Sequence, residues 1–168
     1  RDAQESRGLG DVYKRQSFVW DLCQSADRKK VYISSLQEGL LCFDENGKFL
    51  RTYEISLDIN ASDSYKVNCI QNIDGDIWIG AGSNLLSRLD ERTEAIDNYS
   101  GSAFNFGAVH CLLKYTDKEL LVGTDNGLYL FDQNTNTFQR ADNPADPRSL
   151  SDQTINGMMW DAEGALWV

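Results

Sequence analysis

The feature that most constrains this chain is a four-part pattern that returns at nearly constant spacing. A short apolar segment with one large residue at its centre recurs at Tyr32, Trp78, Leu121 and Trp167, which we call the marker residues. The intervals between them are 46, 43 and 46 residues. A repeat of this length, holding several short strands, is typical of the blades of a β-propeller. We therefore expect the marker residues Tyr32, Trp78 and Trp167 to lie in the core, between stacked blades.

Each marker segment belongs to a unit of four predicted strands joined by polar turns. One apolar segment precedes the marker segment and two follow it, and the last turn is clearest at Asn46-Gly47. Asn-Gly supplies the positive φ that a tight hairpin needs. The sequence thus predicts an all-β fold, a partial β-propeller of about three four-stranded antiparallel blades plus the start of a fourth. The predicted blades are residues 18–53, 67–99, 109–141 and, in part, 155–168.

Two other architectures fit the sequence less well. A β-sandwich also has short strands and turns, but it does not repeat the same four-part order at a constant period. No apolar periodicity of 3.6 residues extends over the length of a helix, which excludes a helical solenoid. The segment around Ile77 and Ile79 is apolar on both faces of a strand, as stacking between two neighbouring blades requires.

The number of predicted blades bears on the extent of the chain. Propellers close with about four to eight blades, so we expect this chain to be a piece of a longer protein. Residues 1–16 are polar, do not alternate as a strand does, and match no later unit. We interpret them as a non-native or disordered leader, and residues 17–168 as the propeller piece. The remaining blades of the parent propeller are the partners expected to cover its apolar outer faces.

Charge and cysteine spacing argue against several partners and cofactors. The formal net charge is −10, and a field of this sign repels nucleic acid and anionic membrane surfaces. None of the four cysteines forms a Cys-x-x-Cys pair, so the sequence indicates no zinc site. We expect neither a metal nor any other cofactor, and no nucleic acid bound through this segment.

One position near the start of each unit carries a different polar or aromatic residue every time. These slot residues, as we call them, are Trp20, Asn68, His110 and Asn156, and His110 is the single histidine of the chain. A Ser-His-Asp triad needs a histidine held by a carboxylate and facing a nucleophile, and the sequence singles out no such partners. We therefore predict no catalytic residue and expect this segment not to be an enzyme.

The same slots, together with loop residues between the units, form the candidate ligand site. Aromatic faces stack on the apolar faces of sugar rings, and polar side chains fix the hydroxyl groups. Loop aromatics also serve as anchors for their loops, and that interpretation stays open beside the ligand-binding one. The predicted ligand-binding residues are Trp20, Tyr65, Asn68, Phe104, Phe106, His110, Arg148 and Asn156.

Three stretches of the sequence resemble the repeat of the two-component regulator propellers. The first is GTDNGLYLFD at residues 123–132, and the second is DPRSLSDQTIN at residues 146–156, which leads into DAEGALWV at residues 161–168. The Trp-Ile-Gly-Thr signature of the family appears as Trp78-Ile79-Gly80-Ala81 and, degraded, as Leu121-Val122-Gly123-Thr124. The first unit lacks the glycine and reads Tyr32-Ile33-Ser34-Ser35.

The resemblance implies a place in signal transduction. Such propellers form the periplasmic sensor region of hybrid two-component histidine kinases of the Bacteroidetes type, which are anchored in the inner membrane and signal by a phosphorelay. Their ligands are commonly oligosaccharides, so the resemblance implies carbohydrate sensing, and the parent protein is expected to be a histidine kinase that can form a homodimer. A non-enzymatic propeller that scaffolds other proteins is the alternative, because fold alone does not assign function.

Overall fold

The computed structural model describes residues 18–55, 66–82, 84–100, 105–143, 145 and 153–168. Within these ranges the chain forms fourteen strands and no helix. The strands make three four-stranded antiparallel sheets and a two-stranded one. The predicted fold class, a partial propeller of three blades and the start of a fourth, is confirmed. The proposed leader at 1–16 lies outside the described residues.

In each sheet the strands follow one another in chain order, as in a meander. The first blade contains β1 (Val19–Gln24), β2 (Lys30–Ser35), β3 (Gly39–Asp44) and β4 (Phe49–Tyr53). The second contains β5 (Val67–Ile73), β6 (Asp76–Ala81), β7 (Leu85–Leu89) and β8 (Ile96–Ser100). The third contains β9 (Val109–Lys114), β10 (Glu119–Thr124), β11 (Gly127–Asp132) and β12 (Thr137–Arg140). The two-stranded sheet contains β13 (Met159–Trp160) and β14 (Leu166–Trp167).

The hairpin turns are closed by aspartates at the ends of third strands. The carboxylate of Asp44 accepts hydrogen bonds from the backbone N–H groups of Asn46 and Lys48, at 3.0 and 2.8 Å. Gly47 has a φ of +77°, the conformation predicted for the Asn-Gly turn. Asp132 closes the corresponding turn of the third blade through the N–H of Asn134 at 2.7 Å. These carboxylates are local turn caps.

The core lies between the sheets, in three clusters that each join two successive blades. The marker residues Tyr32 and Trp78 are 0% and 2% exposed and belong to the first and second clusters. The prediction of a core position is wrong for Trp167, whose side chain is 63% exposed. The physical reason is that no further sheet of the described chain packs against the two-stranded one.

The signature glycines set how closely two blades approach. A Cβ at Gly80 would lie 2.5 Å from Cγ1 of Val109 and would also overlap Sγ of Cys69. A Cβ at Gly123 would meet Cγ2 of Ile155 at 2.7 Å in the same way. The start of the following blade, Val109 in β9 and Ile155 ahead of β13, therefore occupies the space that a side chain would take, which is a packing reason for glycine at these positions.

The first blade departs from this pattern in two coupled places. Ser34 stands where the other blades have the signature glycine, and its hydroxyl accepts the N–H of Asp21 at 2.7 Å. The carboxylate of Asp21 in turn accepts the N–H of Ile70 in the second blade at 2.9 Å. Asp21 and Ser34 thus stand where the other blades have a cysteine and a glycine, and Asp21 forms the hydrogen bond to the neighbouring blade.

Side chains of one blade bind the backbone of the next along the first strands. Near the slot end, Asn68 donates to the carbonyl of Val109 at 3.2 Å, and the thiol of Cys111 donates to the carbonyl of Ile155 at 3.5 Å. At the opposite end, two more donors face a preceding blade in the same way. They are Asn72 Nδ2 on the carbonyl of Gln24 at 2.9 Å, and Trp160 Nε1 on the carbonyl of Lys114 at 3.0 Å.

Candidate functional site

The first strands of the three blades lie next to one another and form a concave wall. β5 contacts both β1 and β9. A cavity of about 430 Å³ lies on this wall. Pockets of this size are large enough for small-molecule ligands. Its polar lining comes from Asp21, Gln71, His110 and Asn156, and three thiols and three aliphatic residues form the rest.

Each first strand of the three full blades contains a β-bulge at its slot residue. In β9, Val109 pairs with Thr124 and Cys111 pairs with Gly123, so His110 is the extra residue. In β5, Asn68 is the extra residue between the paired Val67 and Cys69. The register of β1 shifts in the same way between Val19 and Leu22, around Trp20. Bulges redirect side chains and occur often beside functional sites, so the slots are structurally distinct positions.

The structure brings together two of the predicted site residues and separates two others from them. His110 and Asn156 line the same cavity. Asn68 is half-buried and uses its amide N–H to bind the third blade. Trp20 is 63% exposed at the other edge of the wall and is not part of the cavity lining. Tyr65, Phe104 and Arg148 lie outside the described residues.

Phe106 occupies the core and not the surface. Its side chain is 0% exposed and packs against Tyr129 and Phe138, with ring centroids at 5.3 and 5.1 Å. A fully buried ring offers no face to a ligand. The structure therefore favours the loop-anchor interpretation for Phe106, and the candidate site loses this contact.

His110 is held by a carboxylate that the sequence analysis did not single out. Its Nε2 lies 2.6 Å from Oδ1 of Asp125, which sits in the turn between β10 and β11. The second carboxylate oxygen accepts the N–H of Ala108 at 2.8 Å. Gly107 has a φ of +76°, and a Cβ there would lie 2.5 Å from Oδ2 of Asp125. Glycine at position 107 thus allows the close approach of this carboxylate.

Two opposing effects act on the pKa of Asp125. Partial burial raises it, but the hydrogen bonds from His110 and from the N–H of Ala108 outweigh burial, so the pKa lies below the usual value. Asp125 is therefore ionised at neutral pH and acts as an acceptor only. In the antiparallel pair of β9 and β10, Thr124 pairs with Val109, and Asp125 lies beyond it beside Ala108. The Asp125 side chain reaches back past this pair to His110 at the bulge, a contact that the register alone does not indicate.

The three thiols of the cavity are kept protonated by burial. Burial raises the pKa of Cys23 to about 12 and that of Cys111 to about 11, and it raises the pKa of Cys69 further. The thiolate is the reactive and metal-binding form, so these groups behave as small apolar residues. The described residues contain no group of three His, Cys, Asp or Glu side chains arranged to hold a metal ion.

We expect the cavity thiols to resist alkylation in the folded chain. With iodoacetamide at about pH 8, Cys23, Cys69 and Cys111 should react at least about tenfold more slowly than in urea, because their thiolate fraction is small. Mass spectrometry of peptides after timed quenching measures each site separately. Equal rates for Cys111 in the folded and unfolded chain would contradict the protonated, enclosed state.

A second groove, of about 490 Å³, lies at the opposite end between the first two blades. Its walls carry both acidic and basic side chains, and several of the acids are already bound within the protein. Glu91 accepts the hydroxyl proton of Tyr32 at 2.9 Å, and Asp74 accepts two hydrogen bonds from Lys114. These contacts join neighbouring blades and explain the charged residues without a ligand.

Comparison with known proteins gives structural neighbours only. No protein-family profile matches the sequence, and no curated protein matches it. The extracellular domain of the hybrid two component system BT4673 from B. thetaiotaomicron has a TM-score of 0.71 and 26% sequence identity, over 89% of this chain and 20% of that one. The resemblance to the two-component regulator propellers is confirmed.

Two further solved structures, both less than 25% identical to this chain, agree with its propeller fold. The extracellular domain of the hybrid two component system BT3049 from B. thetaiotaomicron has a TM-score of 0.68 at 23% identity, over 89% of this chain and 18% of that one. The WD40 propeller domain of Doa1 has a TM-score of 0.66 at 14% identity, over 90% and 47%, which shows the fold alone. The chain spans about a fifth of the length of the two sensor domains. No helix in the described part of the chain could span a bilayer.

Proposed function

We propose that this chain is part of the ligand-sensing, extracytoplasmic propeller of a hybrid two-component sensor histidine kinase, and that it responds to an oligosaccharide. The observation that carries the proposal is the match over 89% of the chain to the extracellular domain of such a system, at 26% identity. The repeat motifs at residues 123–132 and 146–156 point the same way. The segment itself binds and does not catalyse.

The concave wall supports the ligand-binding part of the proposal. It has a cavity of about 430 Å³, and the bulge in β9 presents His110 to it. His110 and Asn156 provide hydrogen-bonding groups there, and the exposed indole of Trp20 provides a stacking surface on β1, at the other edge of the wall. Aromatic faces combined with a few polar groups suit a sugar ring.

The cellular location and the signalling role of the parent protein are proposed on the same observation, the likeness to the extracellular domain of BT4673. The parent protein would be anchored in the inner membrane with this propeller in the periplasm, and its remaining blades would cover the apolar faces exposed here. Binding would shift a two-state sensor region, and a homodimer of the parent would pass the shift to the kinase and its phosphorelay. A propeller that scaffolds proteins remains the second candidate, and the WD40 neighbour supports it only through its fold.

The test is binding of oligosaccharides to the full chain and to slot variants. We expect His110→Ala and Trp20→Ala to weaken binding of a neutral trisaccharide by about tenfold each, the equivalent of one good contact. Isothermal titration measures the affinity, and circular dichroism checks that the variants stay folded.

The matched control is Tyr115→Ala, because this aromatic is 50% exposed but lies beyond β9, at the far end of the blades. It should leave the affinity unchanged. Wild-type affinity in both slot variants would place the binding site elsewhere. Absence of binding across a panel of plant and host oligosaccharides would contradict carbohydrate sensing.

A further inference from the structure

We infer that the cavity on the concave wall selects uncharged, hydroxyl-bearing ligands against acidic ones, and that Asp125 is the residue that sets this selection through His110. The inference rests on the proposed ligand-sensing function and specifies the charge of the ligand. It follows from the charges around the cavity and from the way in which one carboxylate holds the only histidine.

The described lining of the cavity contains no lysine or arginine. Its one carboxylate, on Asp21, is bound on both oxygens by backbone N–H groups, those of Leu22 at 2.8 Å and Ile70 at 2.9 Å. An acidic sugar placed here would leave water without gaining a cationic partner, and burying an unpaired carboxylate is costly. The chain as a whole adds to this repulsion, since its formal net charge is −10.

His110 could supply a positive charge on protonation, but its partner cancels it. With Asp125 ionised, the pair carries a net charge of −1 when the imidazole is neutral and of zero when the imidazole is protonated. The pair is never positive in either state. The other titratable groups of the cavity are Asp21 and the three thiols of β1, β5 and β9, and none of them can become cationic.

The same contact decides what His110 offers to a ligand. Because the Asp125 carboxylate is an acceptor, the ring proton lies on Nε2, and Nε2 donates it across 2.6 Å. Nδ1 has no hydrogen-bond partner among the described residues and is an acceptor in the neutral ring. A ligand hydroxyl can donate to it, whereas a carboxylate cannot. Asp125 is thus a positioning residue that acts through His110.

The experiment compares matched trisaccharides that differ only in charge. The probes are galacto-, gluco- and manno-configured trisaccharides, each as the neutral sugar and as the corresponding uronic acid. For the wild-type chain we expect the neutral member of a binding pair to bind about tenfold or more tightly than the acidic one, both at about pH 5 and at about pH 8.

The variant Asp125→Asn removes the compensating carboxylate and keeps the shape of the side chain. It should narrow the preference for the neutral sugar by about tenfold at about pH 5 and by much less at about pH 8, because a protonated imidazole beside a neutral amide carries a net positive charge and lower pH favours the protonated form. The control Glu163→Gln removes one charge from an exposed turn at the far end of the chain and should leave the preference unchanged. Because the chain has one histidine, nitrogen NMR should show the Nε2–H tautomer in the wild type and a mixture in Asp125→Asn.

The possible outcomes test the charge selection and the sensing function separately. Equal or tighter binding of the acidic sugars to the wild type, or an Nδ1–H tautomer of His110, would overturn the charge selection and leave the sensing function standing. An unchanged preference in Asp125→Asn at about pH 5 would remove Asp125 as its cause and overturn the inference. Failure of every pair to bind would overturn the sensing function itself, and the charge selection with it.

Discussion

Replacing Trp78 with alanine is expected to lower the free energy of unfolding of the chain by about 3–5 kcal/mol. The indole is 2% exposed and lies in the cluster that joins the second and third blades. It stacks on Tyr99 with ring centroids at 5.9 Å, and it meets the edge of Phe131 at 5.8 Å. Truncation leaves a cavity between two sheets that cannot close, because both faces belong to rigid strands. Urea denaturation followed by circular dichroism measures the change.

The chain contains its own control for this prediction. Trp167 is the repeat-equivalent marker residue, but its side chain is 63% exposed. Trp167→Ala should therefore lower the free energy of unfolding by less than about 1 kcal/mol, since it removes little buried area. Similar losses for Trp78→Ala and Trp167→Ala would mean that position in the repeat, and not burial between blades, determines the effect.

The second large effect is expected at Gly80. Gly80→Ala places a methyl group 2.5 Å from Cγ1 of Val109 and against Sγ of Cys69. Val109 is branched at Cβ and fully buried, so it cannot rotate away, and the third blade must move outward. Overpacking of this kind costs about 3 kcal/mol. Thermal unfolding of the purified variant, set beside wild type, provides the measurement.

Gly157→Ala is the matched control for Gly80→Ala. Nothing lies within 4 Å of a Cβ built at Gly157, and its φ is not in the left-handed region. This substitution should change the free energy of unfolding by less than about 0.5 kcal/mol, as for most surface changes. If Gly80→Ala is as stable as Gly157→Ala, the signature glycine is not required for the approach of the blades.

The repeating parts of this fold were predictable because every unit contains the same order of apolar segments and polar turns. The spacing of Tyr32, Trp78 and Leu121 was enough to predict three sheets and their turns. The exposure of Trp167 was not predictable in the same way, because burial depends on what packs against a strand and not on the strand itself. The partial fourth blade was predicted to begin at Ile155, but its first strand, β13, covers only Met159–Trp160. Strand pairing, like burial, depends on what lies beside the segment.

The site was predicted less completely than the fold. The slot residues were identified as a variable position, but the bulges that redirect them depend on the pairing register, which one strand alone does not reveal. Asp125 was missed because it lies fifteen residues from His110 and joins it only when the hairpin closes. Phe106 was grouped with the loop aromatics because nothing in its sequence neighbourhood indicates that it turns into the core.

The bonds that cross from blade to blade have a consequence for how such chains evolve. Asn68, Asn72, Cys111 and Trp160 all donate to backbone carbonyls of an adjacent blade. A carbonyl is present whatever residue occupies the accepting position, so these hydrogen bonds do not depend on the neighbour's side chain. These hydrogen bonds would therefore survive the duplication, reordering or exchange of units between genes, whereas the packing of side chains such as Val109 against Gly80 would still have to fit. Slot side chains that take no part in these bonds, such as His110, can then diversify for new ligands without loss of the hydrogen bonds between blades, whereas Asn68 cannot.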